Sequence, residues 1–445
     1  MRQNKLVWIL FAVLAVFSAC NTNNNKMNSL DEKVNKAVIY EVNIRQYTPE
    51  GTFAAFEEHI PRLKELGVDI LWLMPIYPIG QERRKGTLGS YYSVENYTAI
   101  NPDYGTAEDL HKLIDQAHQN GMLVILDWVA NHTSWDNPWI KEHPDWYTHD
   151  STGKIIPPHP DWSDVADLNY DNKEMRAAMI AAMKYWVEEF DVDGFRCDVA
   201  MEVPTDFWEA ARDSLEKVKH VFMLAEAEQP DLMYKAFDAY YGWHLHHIMN
   251  QISQAKMTAK DLTEYFNGHA KEFPLRAIRM NFTSNHDENS WNGTVYERMP
   301  ESYKTFAVLS FTVPGMPLIY SGQEACLHKR LSFFGKDTIE WHNCDMTDLY
   351  TELTRLKHEH SSLWHDSTSR HFEILKTDKP ETIFAFRRAN ETDTLVAIFN
   401  LSAADAEFTI EDKLPAEMRD YFTDEKVDIG GKQYLPGWGY RVLVK

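Results

Sequence analysis

Between residues 36 and 364, short runs of apolar, β-branched and aromatic residues alternate with longer stretches whose apolar positions recur every three or four residues. The short runs fit buried strands and the longer stretches amphipathic helices. The predicted strands are Ala37–Asn43, Val68–Met74, Leu123–Trp128, Val192–Asp198, Val221–Glu226, Ala236–Tyr240, Ile278–Thr283 and Pro317–Ser321. Helices are predicted at Phe53–Leu66, Ala107–Gln119, Glu174–Glu189 and Leu349–His360, with Gly67 and Gly121 as stops after the first two. Strand-helix alternation builds βα units around a parallel sheet, and eight strands point to a closed (β/α)8 TIM barrel of the α/β class.

Two regions break the alternation. Residues 131–169 carry no clear helix and gather Trp135, Trp139, Trp146 and Trp162 among Pro, Asp and His. A connection of that length with no elements of its own reads as a functional insertion. Beyond Trp364 the pattern changes to short alternating runs, such as Thr382–Arg388, Thr394–Asn400 and Tyr440–Val444, separated by Asp, Gly and Pro. Residues 365–445 are therefore expected to form a C-terminal antiparallel β domain, and 36–364 the barrel.

The first residues follow a different rule. Arg2 and Lys5 precede the apolar run Leu6–Phe17, which ends in Ser18, Ala19 and Cys20. At about a dozen residues the run is short for a membrane span and fits a signal peptide. The small residues before Cys20 resemble a bacterial lipoprotein cleavage box. Residues 1–20 are thus read as a lipoprotein signal, with lipid attached at Cys20, and residues 21–35 as a polar tether. This predicts an exported bacterial lipoprotein of the periplasm or outer membrane, touching the membrane through that anchor alone. Cys197, Cys326 and Cys344 then remain, an odd number with no regular spacing, and no disulfide framework is visible. Cys197, inside a predicted strand, is expected to be a small core residue.

The chain has 445 residues with a net charge of -22 and no offsetting basic stretch, which argues against nucleic acid as a partner. Neutral sugar polymers meet no such objection. Four stretches carry the candidate chemistry: DWVANH at 127–132, GFRCDVA at 194–200, LAEAE at 224–228 and FTSNHDEN at 282–289. Each follows a predicted strand, so their polar residues would emerge together at one end of the barrel, where barrel enzymes keep their active sites. Asp198 and Glu226 end neighbouring strands, and a close carboxylate pair is what glycosidic cleavage with retention needs. Arg196, two residues before Asp198, shares its strand face and is expected to lower its pKa and keep it ionised. Apolar surroundings are expected to raise Glu226 toward the range of a general acid, with Glu228 as its rival.

In order and wording, the four stretches resemble glycoside hydrolase family 13, the α-amylase family. The resemblance implies that residues 131–169 form a small inserted domain after the third strand, and it implies Asp198 as nucleophile, Glu226 as acid and base, and Asp287 as the third catalytic carboxylate. It implies that Tyr92, His132, Arg196 and His286 bind substrate, with Tyr92 as a stacking platform, and that Asp127 orients the loop after the third strand. Asn131 and Asp167 match positions that hold a structural calcium ion in many relatives, and their oxygens suit Ca²⁺. The Lys-His pair common after the nucleophile is replaced here by Met201 and Glu202, which bears on the metal and on the leaving-group side. The implied activity is endo-acting α-amylase on starch or maltooligosaccharides, since the insertion is short and no N-terminal binding module is visible. The same residues would serve an exo-acting α-glucosidase, a cyclomaltodextrinase or neopullulanase, or a transglycosylase. A glucan-binding lipoprotein with a dead site is the reading from another class, and the intact carboxylates oppose it.

Overall fold

A computed structural model describes residues 30–365, 371–415 and 417–445. The expected signal peptide, Cys20 and the tether as far as residue 29 lie outside the described residues. Eight parallel strands close into a barrel in sequence order: Ile39–Val42, Ile70–Leu73, Leu123–Trp128, Gly194–Cys197, Phe222–Ala225, Ala239–Tyr241, Ile278–Asn281 and Met316–Tyr320. Each lies within or beside a predicted run. The apolar, β-branched runs are buried on both faces, one face against the helices and the other inside the barrel. The interior face is set by parity: Ile39, Ile70, Leu123, Ile125, Leu224 and Ile278 pack together there.

Residues 30–36 are helical, which corrects the tether expected to run to residue 35. Leu30 and Val34, four apart on one helix face, are buried against the first residues of the barrel strands and close its N-terminal end. The predicted helix Phe53–Leu66 is two helices, Phe53–Glu57 and Ile60–Leu66. Pro61 sits in the first turn of the second, where its missing N–H costs nothing; inside a continuous helix it would remove a bond. Helix Ala107–Gln119 starts at a capping box in which Thr106 and Asp109 satisfy each other's backbone N–H groups. Among the described residues no helix is long and apolar enough to cross a membrane.

The insertion contains more order than its sequence suggests. Strands His132–Ser134 and Val165–Asp167 pair antiparallel at its base, and a short helix, Trp139–Glu142, lies between them. The C-terminal part forms an antiparallel sheet of six strands, with Ile383–Ala389, Thr394–Asn400 and Tyr440–Val444 at its centre, plus a two-stranded ribbon. It packs on the barrel through contacts such as Phe266 with Phe384. The absence of a disulfide framework is also corrected: Cys326 and Cys344, 18 residues apart, are bonded. They meet because the loop after the eighth strand doubles back onto the start of helix Asp345–Glu359, a tertiary event that spacing does not encode. Cys197 is free and buried, with its thiol pushed far up by desolvation, as a core residue should be.

Candidate active site

Register brings the two central carboxylates together. Cys197 pairs with Ala225 across the fourth and fifth strands, so Asp198 and Glu226, each one residue further on, stand side by side at the C-terminal mouth. Gly194 makes that closeness feasible. A Cβ there would lie 1.8 Å from the Phe222 carbonyl oxygen, so any side chain would force the two strands apart.

Arg196 is the hub beneath them. Fully buried, it donates from Nη1 to Asp127 Oδ1 at 2.8 Å and to Asp198 Oδ1 at 2.9 Å, while Nη2 lies 2.8 Å from Glu226 Oε2. Its Nε donates to Tyr241 Oη at 3.1 Å, and the guanidinium lies 5.0 Å from the Trp72 ring. One planar cation thus spaces three carboxylates that would otherwise repel. Asp127 also accepts from Trp72 Nε1 and Tyr92 Oη, each at 3.1 Å. It therefore holds Arg196 and Tyr92 in place more than it orients the loop.

His286 and Asp287 arrive from the loop after the seventh strand. His286 Nδ1 is 2.5 Å from Glu41 Oε1, and its Nε2 is 2.8 Å from Tyr92 Oη and 3.4 Å from Asp287 Oδ2. Burial alone would lower this imidazole, but Asp287 and Glu41 outweigh it and raise its pKa to about 9. His286 is a cation at neutral pH. Burial raises Glu226 to about 7, with Arg196 opposing and Asp198 and Asp287 adding to the rise; the Val199 N–H, donating at 2.9 Å, pulls the other way. Asp198 is raised to about 6 by burial, against Arg196, with Asp127 and Asp287 adding to the rise. Arg196 depresses Asp198 as expected, but burial outweighs it, so the expectation of a lowered pKa is corrected to a net rise. The guanidinium is shared among three carboxylates while each bears its own desolvation.

These groups line a cavity of about 420 Å³ together with Tyr92, His132, Trp162 and Asp164 of the insertion, and Trp291, Phe333 and Phe334. Tyr92 stacks on His286 with ring centroids 5.5 Å apart. Desolvation pushes His132 down to about 4, so it is neutral and serves as a hydrogen-bonding group. Asn131 and Asp167 lie at the paired base of the insertion, where Leu168 N donates to Asn131 O at 3.1 Å. Asp167 is raised by burial and then by the Glu202 charge, with Thr148 opposing. The Asp167 carboxylate and the Asn131 amide are oxygen donors of the kind a calcium ion would take. Among the described residues the one group of three His, Cys, Asp or Glu side chains close enough to share an ion is Cys326, Cys344 and Asp345, whose sulfurs are bonded to each other.

Glu228 is absent from the cavity wall; it accepts from His244 N at 2.7 Å and lies 3.4 Å from His269. Sequence reasoning missed Glu41, whose signal was a lone charge inside the apolar run AVIYEVN. It also missed the aromatic wall of Trp291, Phe333 and Phe334, and Lys85, whose Nζ is 2.9 Å from Asp164 Oδ1.

Comparison with known proteins agrees with this geometry. The maltogenic alpha-amylase AmyB of Thermotoga neapolitana superposes with a TM-score of 0.84 at 30% identity, covering 93% of this chain and 99% of that one. An alpha-amylase from Lactobacillus plantarum gives 0.83 at 32% identity with the same coverage of 93% and 99%. Alpha-amylase MalA of Haloarcula japonica is 27% identical over 385 residues, 82% of this chain and 55% of that protein, so the chain spans about half the length of this relative. The Alpha amylase catalytic-domain family matches residues 17–162 and 146–373. With the barrel, the paired strand-end carboxylates and this match in hand, the chain belongs to the α-amylase family, glycoside hydrolase family 13.

Proposed function

We propose that the protein is a retaining glycoside hydrolase that cleaves α-1,4-glucosidic bonds of starch or maltooligosaccharides as an endo-acting α-amylase. The observation that carries this is the carboxylate pair on Arg196, in which Asp198 and Glu226 stand side by side at the mouth of the barrel. Asp198 attacks the anomeric carbon while Glu226 passes its proton to the leaving oxygen, giving a glycosyl ester and a freed chain end. Glu226, now ionised, takes a proton from water; the hydroxide adds to the anomeric carbon and the ester bond to Asp198 breaks. His286, held cationic, and Asp287 grip sugar hydroxyls, and these bonds lower the barrier to the extent that they tighten as the ring flattens. His132 donates to another hydroxyl, and Tyr92 offers its ring to the sugar's C–H face.

A second reading, action on short or cyclic maltodextrins, draws support from the Lys85–Asp164 ion pair, which joins a barrel loop to the insertion at one wall of the cavity. Such a wall favours short substrate segments, in line with the word maltogenic in the name of the Thermotoga protein. Products from starch, pullulan and maltotriose followed over time separate the two: mixed long products early on indicate endo action, and maltose from the outset the second reading. No reducing ends from any of the three would overturn hydrolysis and leave a glucan-binding protein. Calcium at Asn131 and Asp167, and export as a lipoprotein anchored at Cys20, belong to the same proposal.

A further inference from the structure

Outward from Tyr92 runs a series of aromatic rings whose further members the chemistry above does not use. Tyr92, stacked on His286, is itself stacked on Phe333 at 6.3 Å and an interplanar angle of 18°. Phe333 in turn meets Trp291 at 5.0 Å. Trp291 is 52% exposed, although its indole lines the mouth of the cavity. An exposed Trp packed into an ordered wall is unusual, because it forgoes the burial of a large apolar surface.

The wall is built to stay in place. Trp291 sits in a π-helical turn, Glu288–Asn292, directly after Asp287; such turns occur often at functional sites. Asn289 in that turn clamps the loop after the eighth strand, donating to Lys329 O at 3.1 Å and accepting from Leu331 N at 2.8 Å. The Cys326–Cys344 bond closes the same loop at its base. On the far side Gly86 lets another loop approach so closely that a Cβ there would lie 2.5 Å from Phe334 Cβ.

We propose that Trp291 and Phe333 form an outer sugar-binding subsite, which stacks a pyranose ring of the glucan beyond those at the reacting bond and sets where the chain is cut. The inference rests on the glucan-hydrolase reading for its ligand. Sugar rings present flat C–H faces, and a half-exposed indole continuous with the cavity offers a matching surface at little cost in entropy. Because the indole is mostly solvent-facing, Trp291→Ala should fold as the parent does.

The test compares maltoheptaose binding by calorimetry to Asp198→Asn and to Asp198→Asn/Trp291→Ala. The second variant should bind about tenfold more weakly, and Trp291→Phe should recover most of the loss. In the active background Trp291→Ala should raise KM for maltoheptaose and shift its products. Equal affinities, or no measurable binding to either variant, would overturn the subsite. A parent that binds maltoheptaose but releases no reducing ends would overturn the hydrolase reading alone, and the affinity comparison would still decide the role of Trp291.

Discussion

Replacing Glu226 with glutamine keeps the shape of the side chain and removes its proton equilibrium, so it isolates what burial has done to this group. In the proposed mechanism Asp198 must be ionised and Glu226 protonated, and burial raises both carboxyls, to about 6 and about 7. The profile of kcat/KM should therefore be bell-shaped, with both limbs shifted above the ordinary carboxylate range and a loss of about tenfold per pH unit well beyond the alkaline limb. The limbs belong to the pair rather than to either residue. Glu226→Gln should be nearly inactive on starch, yet attack an aryl maltoside whose leaving group needs no acid. On that substrate the alkaline limb should vanish, and azide should restore turnover and yield an α-glycosyl azide.

Stability supplies an independent readout. A carboxyl raised in the folded state binds its proton more tightly there than in the unfolded chain. The corresponding stabilisation is full below the unfolded pKa and is lost as pH rises through the folded one. A rise from 4.5 to about 7 corresponds to about 3 kcal/mol at 1.36 kcal/mol per unit. Wild type should therefore lose stability relative to Glu226→Gln between pH 5 and pH 8. The altered contact with Arg196 Nη2 adds an offset that does not change with pH, so the trend matters and not the absolute gap. An alkaline limb that survives in the variant would refute the assignment of the acid; the same result moved to Glu228→Gln would identify the rival. A stability gap that stays constant from pH 5 to 8 would refute the burial argument.

Asp198→Asn should abolish hydrolysis while leaving folding and glucan binding intact, because an amide cannot form the glycosyl ester; wild-type turnover in that variant would remove it as nucleophile. Opening the Cys326–Cys344 bond by double substitution to alanine frees a loop of 18 residues and should cost about 3 kcal/mol in urea unfolding, whereas a cost below about 1 kcal/mol would mean the loop is restrained in the unfolded chain by other means. Chelation should lower the melting temperature if calcium ties Asn131 and Asp167 together, since the unfolded chain has no preformed site; an unchanged melting temperature, with no metal found by elemental analysis, would remove the ion from the proposal. Cys20→Ala should abolish labelling by a fatty-acid analogue, and persistent labelling would place the anchor elsewhere.

What the sequence revealed divides along the distance over which each feature is determined. The eight strands and the helix Ala107–Gln119 are set by local periodicity and caps, and they were legible to within a few residues. So were Asp198 and Glu226, because a strand end followed by a carboxylate needs no knowledge of any other strand beyond its neighbour. The break at Pro61 was legible in principle, since proline belongs in a first turn. Glu41 was not, because its importance comes from His286, which lies 245 residues away. The pKa of Asp198 failed for the same reason. Arg196 two residues earlier is a local fact, but the opposing burial is tertiary and the charges of Asp127 and Asp287 come from two other strands' ends. The aromatic wall is the extreme case: Trp291 and Phe333 are ordinary residues in two loops until Asn289 joins those loops. Carboxylates that stand as strand-end pairs can thus be read from short motifs, while the groups that set their charge state, and the aromatic wall beside them, depend on contacts that only the closed barrel creates.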